Sequence, residues 1–261
     1  AGFELFKIDY LYEEFIEKLG YPAHPMGRGE VVRRLFGAIR GAVGEEAHIV
    51  SCGALKEVAL GWADSARVSV DIHNFWGHIR SNANQVASAW WMNRRLWVND
   101  PDFALVRCPT TGEARYPNIP YVRRPYTDPK NFWMAGDEAS LDELKTWLAV
   151  VRLTGGSVFI SDSIARLNVA GLDLLARLFP PLSTPAVPLD LFEARPARVW
   201  LSRDAGRPTL GLFNWDDAPT ELALPTALGG TISGREFWTG RMTRLSGSVR
   251  LAPRSCLLLD L

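Results

Sequence analysis

Short β-type runs alternate with helix-period segments from residue 3 to about residue 180. The runs are FELFKID (3–9), AHIVSCG (47–53), ARVSVDI (66–72), LWVNDPD (96–102) and SVFISDS (157–163). None alternates cleanly between apolar and polar positions, the pattern of strands buried on both faces. Between them Val31, Val32, Leu35, Phe36 and Ile39 recur at helical spacing after Pro25 and Gly29. Leu141, Leu144, Leu148 and Val151 repeat that spacing, with Glu138 and Asp142 near the start and Gly155-Gly156 at the end. A strand–helix series of this kind predicts a parallel sheet and an α/β fold.

After LLARLF the proline-dense PPLSTPAVP (180–188) reads as a linker. RVWLS, TLGLFNW, TELALP, REFWTG and SCLLLDL follow, broken by the turn signals DAGRP, DD and GG. They predict a small antiparallel β-sandwich domain. The expected division is therefore 1–182 for the α/β part and 189–261 for the β part. One stretch, 108–136, is rich in Pro and Tyr and fits neither period. Its aromatic content predicts an ordered loop over the strand ends, because long loops in compact domains are usually functional or disordered.

Charge and cysteine content narrow the function. Lys+Arg and Asp+Glu are both 29, so the formal net charge is zero and no basic run replaces it. This excludes the electrostatic footprint of a nucleic-acid binder. No apolar run is long enough to span a bilayer as a helix. Cys52, Cys108 and Cys256 are too few and too scattered for a disulfide framework or a zinc site. The ten tryptophans are expected mostly in the core, with a minority free to stack on sugar rings. No signal peptide precedes the first strand, but with the N-terminus expected to be missing this says nothing about secretion, and localisation stays open with the cytoplasm slightly favoured.

Four of the five strand runs deliver aspartate at their ends: Asp9, Asp71, Asp100 with Asp102, and Asp162. The fifth ends on Cys52-Gly53. In barrels, catalytic groups come from the C-terminal ends of several strands, whereas an open doubly wound sheet gathers ligands at its switch point. DYLYEE also stands where a Gly-rich phosphate loop would follow the first strand. The reading is thus the last five βα units of a (β/α)8 barrel. Taken singly, each aspartate reads as a helix N-cap and Cys52 as a small core residue. Lys7 shares a strand face with Asp9, as a structural ion pair or a binding pair. Arg67 and Asp71 bracket one strand and fit an ordinary ion pair. Several carboxylates without a His/Cys cluster suit either of two chemistries. One is glycoside hydrolysis, with a nucleophile kept ionised beside a cation and an acid whose pKa is raised. The other is a magnesium site at Asp100 and Asp102.

In order along the chain, KIDY (7–10), SCG (51–53), RVSVDIHNFW (67–76), NDPD (99–102) and FISDS (159–163) resemble motifs of the clan-D α-galactosidases, or melibiases. The resemblance covers essentially the whole chain. It matches the second half of that family's barrel and its C-terminal β domain, with residue 1 falling between the third and fourth barrel strands of a longer protein. It implies a retaining glycosidase acting on terminal α-galactosides of oligosaccharides or glycoconjugates. By it Asp9 is the nucleophile, Asp71 the general acid/base, and Lys7, Cys52 and Arg67 line the galactose site. Asp100, Asp102 and Asp162 are expected to support the pocket, and Trp133 to stack in it if it does not pack in the core. The two catalytic carboxyls should lie about 5–5.5 Å apart. No metal or organic cofactor is implied, and a homo-oligomer is compatible with it. Two departures stand out. The family's final strand reads SDD, against Ser161-Asp162-Ser163 here, and the loop at 108–136 is long. The alternatives are an α-N-acetylgalactosaminidase, an α-galactosyl transglycosylase, a magnesium-dependent barrel enzyme, or a sugar-binding homologue without turnover. The barrel half alone is expected to be inactive.

Overall fold

The computed structural model describes residues 2–11, 26–112, 138–206 and 208–261. Trp133 and most of the 108–136 loop lie outside the described residues. The chain packs as two compact units. One comprises residues 1–68 and 92–100, and the other 69–91 and 101–261.

The first unit is built on four parallel strands in sequential order: β1 (Leu5–Ile8), β2 (His48–Ser51), β3 (Ser65–Arg67) and β4 (Val98–Asp100). Register runs Leu5↔His48 to Ile8↔Ser51, Val50↔Ser65, and Ser65↔Val98 to Arg67↔Asp100. Helix α1 (Arg28–Val43) follows the predicted periodicity. Its Val32 and Phe36, one turn apart, pack on Ile49 of β2, on Ala63, and on Val58 and Ala59 of the short α2 (Lys56–Ala59). Arg40, on the same face, cannot be buried without partners. Its guanidinium donates to the carbonyls of Ala47 (2.5 Å) and Trp62 (2.8 Å) and to Asp64 Oδ2 (2.6 Å). Asp64 Oδ2 also accepts from the Ile49 amide at 2.7 Å. Burial works against that carboxylate. The Ile49 amide and Arg40 outweigh it and hold the carboxyl below the usual range.

In the second unit α3 (Trp76–Ala89) packs on α4 (Leu141–Thr154). Helix α4 starts with a capping box: Ser140 accepts from the Glu143 amide while Glu143 accepts from the Ser140 amide. It ends at Gly155, φ 58°, a left-handed conformation that glycine adopts without cost. One further helix, α5 (Val169–Ala176), is capped by Asn168. The antiparallel sheet has eight strands in the order β5-β6-β7-β12-β9-β10-β11-β8. They are β5 (Val187–Pro188), β6 (Val199–Ser202), β7 (Thr209–Asn214), β8 (Thr220–Ala223), β9 (Thr231–Glu236), β10 (Met242–Ser246), β11 (Ser248–Leu251) and β12 (Ser255–Asp260). Val199 and Leu201 of β6, Leu212 of β7, Ile232 of β9, Leu251 of β11 and Leu259 of β12 share one apolar cluster. β12 and β7 lie against α4. Arg152 of α4, fully buried, pairs with Asp260 at 3.2 Å and stacks 4.3 Å over the Phe237 ring.

Three expectations need correction. The run at 66–72 forms a strand only over Ser65–Arg67, so Asp71 stands in the segment beyond β3 rather than on a strand. The run at 157–163 makes one parallel bridge, Ala104↔Ile160, instead of a full strand. The proline-rich linker is in part β5, an edge strand where a missing amide costs no ladder bond. Several tryptophans are core: Trp76, Trp215 and Phe213 stack in series at 5.7 and 5.0 Å.

Candidate active site

Because β1 to β4 run parallel in sequential order, their C-terminal ends form one row. Asp9 follows β1, and the Cys52 amide extends the ladder by donating to the Ile8 carbonyl at 2.8 Å. Arg67 ends β3 and Asp100 ends β4, facing each other in register. Cys52 is buried, hydrogen-bonded to Asp9, and acted on by the charges of Arg67 and Lys7. Burial pushes its thiol up to about 11 against those two cations, with the Asp9 carboxylate adding to the rise. A protonated thiol donates, so Cys52 presents an S–H to the Asp9 carboxylate. Asp9 Oδ1 also accepts from the Tyr10 amide at 2.7 Å. Tyr10 takes φ 60°, a conformation rare for a residue with a side chain.

Lys7, Asp9 and Arg67 all act electrostatically on the Cys52 thiol. Arg67 makes an ion pair with Asp100, Nε to Oδ2 3.7 Å, with both side chains almost fully buried. That partner lies across the sheet, where no local spacing could reveal it.

In the second unit Asp71 is exposed, on the segment leading into α3. Asp102 is buried at φ 71° and accepts from the Ile72 amide at 2.7 Å. Asp162 is also buried. Its Oδ2 accepts from the amides of Val106 (2.6 Å) and Arg107 (3.2 Å), and its Oδ1 pairs with the Arg107 guanidinium. Asp102 and Asp162 thus bind this chain's own backbone. The charges of Asp71 and Arg107 both act on His73. Burial lowers the His73 pKa, Asp71 works against that, and Arg107 reinforces it, so the ring is neutral near pH 7. Its ring stacks on Phe75 (5.9 Å, 5°) and meets His78 edge-on (4.8 Å). The sequence reading passed over His73 and Arg107, although His73 lies only two residues beyond Asp71. Among the described residues no group of three or more His, Cys, Asp or Glu side chains has the arrangement of a metal site.

No family model matches the sequence. Solved structures do match the fold. A β-L-arabinopyranosidase of glycoside hydrolase family 27 from Geobacillus stearothermophilus aligns with 98% of this chain and 57% of its own, at 13% identity and a TM-score of 0.67. A Bacteroides fragilis protein assigned as an α-galactosidase or melibiase aligns with 98% of this chain and 53% of its own, at 17% identity and a TM-score of 0.68. The Saccharomyces cerevisiae α-galactosidase aligns with 98% of this chain and 72% of its own, at 13% identity and a TM-score of 0.61. The chain spans little more than half the length of the first two. It has the fold of that share of these glycoside hydrolases, the group that its motifs resemble.

Proposed function

We propose that this chain carries the catalytic groups of a retaining glycosidase acting on terminal α-galactosides, in the segments that follow parallel strands of a partial (β/α)8 barrel. The observation that carries the reading is the row of strand ends, with Asp9 after β1, Cys52 bonded through its amide to Ile8, and Arg67 at the end of β3, where Lys7, Asp9 and Arg67 all act on the Cys52 thiol. The similarity in fold to glycoside hydrolases, including an α-galactosidase, supports it.

In this reading Asp9 attacks the anomeric carbon, and the C1–O bond to the leaving group breaks. Asp71 gives its proton to the departing oxygen. A galactosyl ester on Asp9 results, with its configuration inverted once. Water, deprotonated by Asp71, then displaces Asp9 and inverts C1 again, so the product keeps the substrate's configuration. The Tyr10 amide, which donates to Asp9 Oδ1, and the Cys52 thiol orient the Asp9 carboxylate, while Lys7 and Arg67 bind hydroxyls of the ring. The cycle is complete without a metal or an organic cofactor.

The test uses the full-length protein, wild type and Asp9→Gly, on an aryl α-galactoside with and without azide. Asp9→Gly is expected to lose at least about a thousandfold in kcat, as removal of a nucleophile does. Azide is expected to restore turnover by forming β-galactosyl azide. A variant with wild-type activity overturns the assignment. A second reading is favoured by the arabinopyranosidase match. A β-L-arabinopyranoside has the ring configuration of an α-D-galactoside without the exocyclic hydroxymethyl group, so the same carboxylates suit both. The ratio of kcat/KM on the two aryl glycosides, with the α-N-acetylgalactosaminide as a third probe, identifies which sugar the pocket is built for. A chelator is expected to leave the rates unchanged, and a chelator-sensitive rate returns the magnesium reading.

A further inference from the structure

The segment 69–72 follows β3, and buried side chains bind three of its backbone groups, the carbonyls of Val70 and Asp71 and the amide of Ile72. Asn82 of α3 donates from Nδ2 to the Val70 carbonyl at 2.9 Å. One turn earlier on the same helix, His78 donates from Nδ1 to the Asp71 carbonyl at 3.0 Å; a carbonyl only accepts, so Nδ1 bears the proton. Asp102 accepts from the Ile72 amide at 2.7 Å. Ser69 donates from Oγ to the Pro101 carbonyl at 2.7 Å. Asn82, His78 and Asp102 are all at least 98% buried.

These contacts fix two peptide planes. The Asp71–Ile72 peptide is gripped at its oxygen by His78 and at its N–H by Asp102. The Val70–Asp71 peptide is gripped at its oxygen by Asn82. Together they flank the Asp71 Cα and restrict both of its backbone dihedrals. We infer that His78, Asn82 and Asp102 form a clamp that aims the Asp71 carboxyl at the leaving-group oxygen, as positioning residues for the acid step. The inference rests on the reading of Asp71 as the general acid/base. Three buried polar side chains converge on one exposed residue, whereas a loop held only for folding could be filled with apolar groups more cheaply. Proton transfer needs heavy atoms within hydrogen-bond reach, so a small swing of this backbone removes acid catalysis while leaving the sugar site in place.

The experiment measures kcat/KM of the full-length protein on two α-galactosides. Methyl α-galactoside needs its leaving oxygen protonated; the 2,4-dinitrophenyl compound does not. His78→Leu and Asn82→Leu remove the donors at similar bulk. His78→Asn keeps an amide nitrogen near the position of Nδ1. The Leu variants are expected to lose about 10- to 100-fold on the methyl glycoside and less than about threefold on the dinitrophenyl one. His78→Asn is expected to recover most of the loss. Equal losses on both substrates, no loss on either, or no recovery by His78→Asn overturns the clamp. Thermal unfolding identifies any variant that fails to fold, and either Leu variant suffices. Asp71→Ala separates the two claims. If it shows the same leaving-group dependence and the clamp variants do not, only the clamp falls. If it shows none, Asp71 is not the acid, and the clamp falls with it.

Discussion

The Cys52 thiol is 6% exposed and feels two cations, and these influences oppose each other. Burial wins, and with the thiol near 11 only about one molecule in a thousand carries a thiolate at pH 8. An unshifted cysteine, with a pKa of about 8.5, is roughly a quarter ionised there. Native protein treated with iodoacetamide at pH 8 is therefore expected to leave Cys52 unmodified, and denatured protein to label it; peptide mass spectrometry reads both. Rapid native labelling would mean that the thiol is not buried against Asp9. Asp64 is a second residue whose titration is readable. Its folded pKa is depressed, so its contribution is fully present above its unfolded value of about 3.9 and fades as pH falls through the lower folded value. Asp64→Asn is expected to cost about 0.5–1 kcal/mol at pH 7, since solvent screens a carboxylate that is 41% exposed, with Arg40 left short of one of its partners. The gap between variant and wild type should narrow below about pH 4. A gap that stays constant from pH 7 to pH 3 would show that the carboxylate's charge is not what matters.

At the scale of elements, α4 lies close against β7 at Gly211. A Cβ built on Gly211 would come within 2.5 Å of Leu153 Cδ1 and 3.0 Å of Phe213 Cε2. Gly211→Ala is therefore expected to cost about 1–3 kcal/mol by overpacking, a drop of several degrees in a thermal melt. An unchanged midpoint would mean the helix can shift at no cost. The same elements show what was legible. Helices α1 and α4 were visible because their apolar residues keep helical spacing, and Gly155 marked the end of α4 through its left-handed turn. Helix α3 was not seen: His78 and Asn82 occupy its buried face and interrupt the hydrophobic period. The first four strand runs lie in the expected order but form shorter strands, and the fifth makes only a bridge. Beyond Arg67 the chain is held largely by side chains of Asp102, His78 and Asn82, and such bonds leave no periodic signature. The strand-end group was readable for a different reason. Parallel strands in sequential order put residues far apart in the chain side by side, and Lys7 and Asp9 share one face. Which carboxylate pairs with Arg67 depends on the β3–β4 register, a non-local fact.

For the whole molecule, the division of the backbone between the units has a consequence for stability. The second unit takes residues 69–91 before the chain returns to the first for 92–100. A polypeptide of residues 101–261 keeps α4, α5 and the whole antiparallel sheet but lacks α3. That helix contributes Ile79, Ala83, Val86 and Ala87, each no more than 1% exposed, and Trp76 stacked on Trp215. Burying a single large apolar side chain stabilises by about 1.5–3 kcal/mol. Losing several at once forfeits an amount comparable with the roughly 5–15 kcal/mol that holds a domain folded. The face of α4 that α3 covers would then be exposed to water. Residues 101–261 alone are therefore expected to show a weak near-ultraviolet dichroism signal, a broad thermal transition and a tendency to aggregate. Residues 69–261, which restore α3, should give a cooperative melt. Matching cooperative melts for the two polypeptides would mean that the sheet and α4 form a self-sufficient core, with α3 attached to it rather than part of it.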